Sequence, residues 1–318
     1  LLTKPIKRNI SGVLLLNKPI GISSHQALQI TKQIFNASKA GHTGTLDPMA
    51  TGLLPVCFGE ATKFSSALLS TDKTYKATLK LGYISSTGDA DGEIFVAGNV
   101  NLRLRQVKLA LQGLIGKIMQ IPPMYSAVKH WGKPLYAYAR KGIEIERKPR
   151  EITVYDLQVV TLEGNKMDIV VKCSAGTYIR TLAEDLGKIL GCGGAYVTSL
   201  SRSAVGNLNL SDSYTLDILK SKSLAQCDAC LYPTDTLLYN LPAVFLDNID
   251  SKRLLHGQIV TDLALANKFP ESKEIRLYDK KKQFLGLGEV TTCGEIIPKR
   301  LIAIPSMQIL PGKNYKSE

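Results

Sequence analysis

Residues 74–83, TYKATLKLGY, alternate without a slip: Tyr75, Ala77, Leu79, Leu81 and Tyr83 fall on one side, Lys76, Thr78 and Lys80 on the other. A period of two over this length predicts a strand with one apolar and one cationic face. In 174–191, SAGTYIRTLAEDLGKILG, the period lengthens. Ile179, Leu182, Leu186 and Leu190 recur at helical spacing, with Thr177 as the expected cap and Gly191 as the stop. Ala27, Ile30 and Ile34 repeat that spacing behind Ser23 and Ser24, either of which can cap, and Val107, Leu111 and Leu114 repeat it within 105–116. The apolar run Val13 to Leu16, closed by a Pro-Ile-Gly turn, reads as a buried strand, and 167–173 as another. STGDADGEIFV (86–96) reads as the turn and return strand of a hairpin. Its Asp89-x-Asp91-Gly92 resembles the start of a calcium loop but lacks the terminal glutamate, so a tight turn is expected.

Strands and helices alternate irregularly, with hairpins between them. That order predicts an α+β fold, a mixed and largely antiparallel sheet flanked by helices, over a doubly wound parallel sheet. Past 239–248 the texture changes to one helical patch near 250–256, short strands, and a glycine spacing in 283–302 suited to a small β-barrel. The chain's 318 residues exceed the ~250–300 at which single cores stop growing. Two abutting domains are expected, 1–240 and 241–318, with no low-complexity linker between them.

Hydrophobic residues make up 44% of the chain, which is enough for a real core, and no apolar run approaches the ~20 residues that span a bilayer. The first residues, LLTKPIKRNI, lack the basic-then-apolar order of a secretory signal. Six cysteines are scattered, and the one C-x-x-C, Cys227 with Cys230, has no second pair or histidine cluster to complete a zinc site. Free thiols in a reducing cytoplasm, with no metal and no cofactor, are expected. The net charge of +13 commonly serves a polyanion. It is also uneven: residues 1–80 hold ten lysines and arginines against Asp47, Glu60 and Asp72, whereas 241–318 carry only +3.

Asp47 therefore stands nearly alone in a basic segment, inside GHTGTLDPMATG (41–52). The following proline favours extended backbone, the glycines permit tight turns, and Thr43, Thr45 and Thr51 can bond the backbone or the carboxylate. These features suit a carboxylate held outward on a stiff loop, and equally a turn aspartate bonding its own backbone.

GHTGTLDPMATGLLPVCFGEATKF (41–64) resembles the signature of the TruB family of tRNA pseudouridine synthases. LLLNKPIGISS (14–24), KTYKATLKLGYISSTGDADGE (73–93), IPPMYSAVKHWGKPLYAYARKG (121–142) and KCSAGTYIRTLAEDLG (172–187) resemble further family motifs and follow in the family's order. The closing LGLGEV and IPKRLI resemble a PUA domain, an RNA-binding module. The resemblance implies conversion of a T-loop uridine of tRNA to pseudouridine at position 55 by a cytoplasmic enzyme, expected to act as a monomer on the T-arm. It implies Asp47 as the catalytic carboxylate, Arg180 as its pairing arginine, and Tyr75 stacked on the everted base and serving as candidate base for the C5 proton. It further implies substrate contacts from His42, Tyr178, Leu200 and Lys18. Where the family usually carries a further arginine this chain has Ser201, so grip on RNA there falls to Arg202. The basic stretch 140–150 is expected to contact phosphates. Trp131 carries no signal of its own.

Two other functions fit parts of the pattern. A tRNA-folding chaperone would keep the RNA surface without turnover. A base-releasing glycosylase would need a second acid to activate water, and none stands in a motif.

Overall fold

In the computed structural model, residues 7–269 and 271–303 are described; the end of the expected C-terminal domain, 304–318, lies outside them, as do residues 1–6. The chain opens with β1 (Gly12–Lys18), α1 (Ser24–Ile34), β2 (Ala40–His42), β3 (Ala50–Phe58), a 3-10 helix at 59–68 and β4 (Lys73–Leu81). The hairpin β5 (Tyr83–Ser85) and β6 (Ile94–Val96) follows, then α2 (Leu104–Gln112) and β7 (Gly116–Gln120). A small hairpin, β8 (Lys129–His130) and β9 (Lys133–Pro134), leads into α3 (Leu135–Ala139). The long pair β10 (Arg150–Glu163) and β11 (Lys166–Cys173) precedes α4 (Ile179–Ile189) and β12 (Ala195–Val205). Short β13 (Leu208–Asn209), β14 (Tyr214–Thr215), α5 (Leu216–Lys220) and α6 (Leu224–Asp228) complete this part.

Ten of these strands form one sheet, in the order β14-β1-β3-β12-β4-β11-β10-β7, with β2 paired to β3 and β13 to β12. Its pairs are antiparallel except β1 with β14 and β3 with β12, as the alternation and hairpins imply. The expected apolar face of β4 is buried at Ala77, Leu79 and Leu81, and packs with Leu182, Ala183 and Leu186 of α4 in the main core. Cys227 and Cys230 are free and buried, donating to the carbonyls of Leu219 and Gln226, and no metal-holding cluster occurs among the described residues. No helix among them is long and apolar enough to cross a membrane.

The C-terminal part holds β15 (Ala243–Phe245), α7 (Asn248–Leu255), β16 (Val260–Thr261), α8 (Leu263–Lys268), β17 (Lys273–Tyr278), β18 (Phe284–Val290) and β19 (Glu295–Leu301). Its five strands form a separate sheet ordered β15-β17-β18-β19-β16 around a core of its own. The short α8, capped by Asp262, went unforeseen among the strands expected there. This part abuts the large sheet: the rings of Phe64 and Phe284 meet edge to face at 5.5 Å, and Lys63 donates to the carbonyl of Leu301 at 3.0 Å.

β3 and β12 run parallel at the centre of the sheet, where Gly52 stands opposite Arg202. Gly52 has φ +104°, and a Cβ there would lie 2.4 Å from the Arg202 carbonyl oxygen. Backbone cannot yield as a flexible side chain can, so Gly52→Ala is expected to cost about 2–4 kcal/mol. Urea denaturation checks this; a variant as stable as the wild type would mean the strands can separate freely.

Candidate active site

The loop between β2 and β3 carries Asp47, and it is tied down at every second residue. Arg202 Nη2 donates to the Gly44 carbonyl at 3.1 Å. Leu46 is gripped twice by Ser24: its N–H donates to the hydroxyl at 2.8 Å and its carbonyl accepts from it at 2.9 Å. The Pro48 carbonyl accepts from the Gly21 N–H at 2.8 Å and from Lys18 Nζ at 3.4 Å. Ala50 N–H closes a turn onto the Asp47 carbonyl at 3.0 Å, the position where aspartate followed by proline is favoured. The two serines thus divide the work: Ser23 caps α1 in a capping box, and Ser24 holds the loop. Rigidity here comes from neighbouring segments. Thr51 turns to the Leu200 carbonyl, and the buried Thr43 hydroxyl has no hydrogen-bond partner.

The Asp47 carboxylate keeps 36% exposure and meets Arg180 Nη2 at 2.9 Å. Arg180 is itself buried in the first turn of α4. Thr177, the expected cap of that helix, bonds the Ser174 carbonyl instead; Tyr178 is the cap residue. The Arg180 guanidinium donates to the carbonyls of Thr87 at 3.0 Å and Tyr125 at 2.7 Å, and pairs with a second carboxylate, Asp89, at 3.3 Å. Gly88, at φ +76°, leaves the arginine its place: a Cβ there would lie 3.2 Å from the Arg180 Cβ.

Asp89 is the residue that sequence reasoning missed. The turn expected at 86–92 exists, but its first aspartate points inward, 6% exposed, with Oδ1 accepting from Thr87 Oγ1 and from the Asp91 N–H. Asp-x-Asp-Gly gives no local sign of a buried arginine. Burial raises the Asp47 carboxyl above its ordinary 3.8; Arg180 opposes the shift, Asp89 adds to it, and Lys18 opposes it. The reaction expected of this group needs it ionised, so the acid limb of a rate profile should bend above pH 3.8 and fall about tenfold per unit below the bend. Removing a neighbouring negative charge favours ionisation. Asp89→Asn should therefore move the bend to lower pH, and a bend left in place or moved upward would contradict the arrangement.

Lys18, expected to touch substrate, points beneath the loop instead. It is fully buried, and its ammonium donates to the carbonyls of Pro19, Ile22 and Pro48. Burial lowers its pKa to about 8, and attraction to Asp47 works against that shift. Lys18 stabilises the loop from beneath. Arg202, expected to grip RNA, is likewise buried, at 1% exposure.

The remaining expected residues lie on β2, β4, β12 and at the start of α4. Tyr75 on β4 and Leu200 on β12 share a sheet face: Tyr75 pairs with Arg202, and Leu200 pairs with Ala77 and Ala50. Leu200 is buried. Burial lifts the Tyr75 phenol above its ordinary value and Arg202 opposes the rise; this direction works against the expected base role unless a cation attends the phenolate. Tyr178 is fixed by Gln120 at the end of β7, whose side chain exchanges two hydrogen bonds with its backbone. The charge of Asp47 reaches both tyrosines. His42, on β2, has a buried Nδ1 without a partner, and burial holds its imidazole below the ordinary value, with Arg202 and His25 adding to the effect.

The carboxylate thus sits on a pinned loop, paired with a buried arginine and within the electrostatic reach of two tyrosines. The fold has solved counterparts: an H/ACA RNP bound to a substrate RNA containing 2′-deoxyuridine has a chain superposing with a TM-score of 0.70 at 22% identity, over 92% of this chain and 85% of that one. A chain of a Cbf5-Nop10-Gar1 complex gives 0.67 at 25% identity, over 89% and 79%. The chain belongs to the TruB family. The family model for the N-terminal domain of TruB pseudouridylate synthases matches residues 32–179, that for the tRNA pseudouridylate synthase B C-terminal domain 180–239, and that for the C-terminus of pseudouridine synthase II TruB 242–302. The tRNA pseudouridine synthase B of Nitrosospira multiformis is 57% identical over 303 residues, covering 93% of this chain and 96% of its own. The enzyme of that name from Nitrosomonas europaea is 53% identical over 293 residues, covering 91% and 95%.

Proposed function

We propose that this protein isomerises uridine to pseudouridine in tRNA, acting as a monomer on position 55 of the T-loop. The observation that carries the reading is the part-exposed Asp47 carboxylate paired with Arg180 at 2.9 Å. A stacked uridine must leave its stack, at a cost of a few kcal/mol, before its sugar is reachable. Asp47 then either bonds C1′ or takes a proton from C2′ while the N1–C1′ pair passes to the uracil ring. The base turns, C5 bonds C1′ as the Asp47–C1′ bond breaks or the C2′ proton is returned, and the C5 proton leaves while N1 takes one up. Apolar Leu200 and the ring of Tyr75 wall the base against water, which keeps the cleaved uracil for reattachment. Tyr178 and His42 complete the substrate contacts, with His42 on the RNA rather than the sugar.

Residues 1–240 form the catalytic domain in this reading and 241–318 a PUA-like RNA-binding domain, supported by the separate core around β17 and β18. Exposed Lys141, Lys148 and Arg150 suit phosphate contacts made without sequence reading.

Unmodified tRNA carrying tritium at C5 of uridine separates the alternatives. Tritium release from an intact chain is expected. Free uracil would identify a base-releasing glycosylase, and binding with neither product a folding chaperone.

A further inference from the structure

Arg202 is among the largest fully buried side chains of the protein, and no carboxylate pairs with it among the described residues. A buried cation without a counter-charge is costly, so a guanidinium kept here needs a reason beyond packing. Two of its donors are committed: Nε to the Leu53 carbonyl at 2.8 Å and Nη2 to the Gly44 carbonyl at 3.1 Å. Leu53 lies in β3 and Gly44 in the loop, so one planar fork spans both flanks of Asp47. On β4 the residue directly across from Arg202 is Tyr75, on the same sheet face.

We propose that Arg202 is a positioning residue for the isomerisation, coupling Tyr75 to the Asp47 loop: it fixes the phenol oxygen against the same guanidinium that clamps Gly44 and Leu53, and supplies the counter-charge when that phenol passes on its proton. The inference rests on the reading of the site as a pseudouridine synthase. The late step requires the C5–H proton to leave as the ring regains its aromatic form. A tyrosine oxygen accepts it as a phenolate, formed when the phenol proton passes to N1 of the same uracil ring, and in a recess that phenolate needs a fixed partner. The charged or titratable groups that act on the Tyr75 phenol are Arg202, Cys173 on β11, and Asp47. Of these Arg202 is the sole cation, and it opposes the effect of burial. Lysine could not replace the fork, being a point donor facing two carbonyls and a phenol.

The test uses full-length Arg202→Gln and Arg202→Lys, each prepared also with 3-fluorotyrosine, whose lower intrinsic pKa brings the phenol into range; Tyr75→Phe assigns the position-75 fluorine resonance. In Arg202→Gln the position-75 titration should move to higher pH, and single-turnover tritium release should fall about 100-fold with tRNA affinity within about threefold. Raising the pH should recover more of that rate in Arg202→Gln than in wild type. Arg202→Lys should keep the titration nearer wild type while releasing tritium about tenfold slower. If Arg202→Gln does not fold, Arg202→Lys decides: release at the wild-type rate overturns the proposal. An unmoved position-75 titration in folded Arg202→Gln, or a loss confined to tRNA affinity, overturns it too. The titration needs no turnover. A wild-type protein that released no tritium would defeat the functional reading, while the titration would still report whether Arg202 governs Tyr75.

Discussion

Asp47→Asn is expected to lower single-turnover conversion by about four orders of magnitude or more, while tRNA affinity stays within about threefold. The side chain keeps its shape and one oxygen, so the loop ties at Gly44, Leu46 and Pro48, none of which involves the carboxylate, stay intact. What disappears is the charge that Arg180 aims. Quench-flow with enzyme in excess over tRNA, beside filter binding, gives both quantities. Comparable losses in rate and affinity would instead mean that Asp47 serves to hold RNA.

Arg180→Met should be the more damaging change overall, because it strikes two carboxylates at once. It strips Asp89, 6% exposed, of its cation and leaves the Thr87 and Tyr125 carbonyls without their donor. Breaking a buried pair in this way costs about 3–5 kcal/mol, so the urea midpoint should fall markedly. Conversion should fall about 10²–10³-fold in whatever protein remains folded, since Asp47 is no longer aimed. Arg180→Met with Asp89→Asn separates the effects. Removing the orphaned charge should recover much of the stability and none of the rate. Recovery of both would place the importance of Arg180 in folding alone.

The parts of this site that were legible in the sequence are those with a local signature. The alternation of 74–83 puts Tyr75 on the inner face, and the leucine stripe of 179–190 builds α4. Asp47 drew notice through its isolation in a basic segment, but its role came from family resemblance, since a turn aspartate fits the same letters. What stayed hidden were partnerships across distant segments. Asp89 reads as a turn residue because its partner stands on another element. Lys18 and Arg202 look like surface cations available to RNA, yet both are spent on backbone carbonyls beneath the loop. Thr177 looks like a helix cap, but its hydroxyl reaches back to Ser174. In each case the side chain's chemistry was read correctly and its direction was not, because direction is set by packing between elements that a one-dimensional period does not encode.

Catalysis by Asp47 depends on the distance between residue 47 and the sugar of an everted uridine. A crystal structure of the Asp47→Asn protein with an unmodified T-arm measures it directly. The expected result is a uridine outside its stack, its base against Tyr75 and Leu200, with C1′ or C2′ within about 3.5 Å of the residue-47 side-chain oxygen. A uridine still stacked in the loop, or a sugar held beyond reach of that oxygen with the RNA otherwise seated, would contradict it.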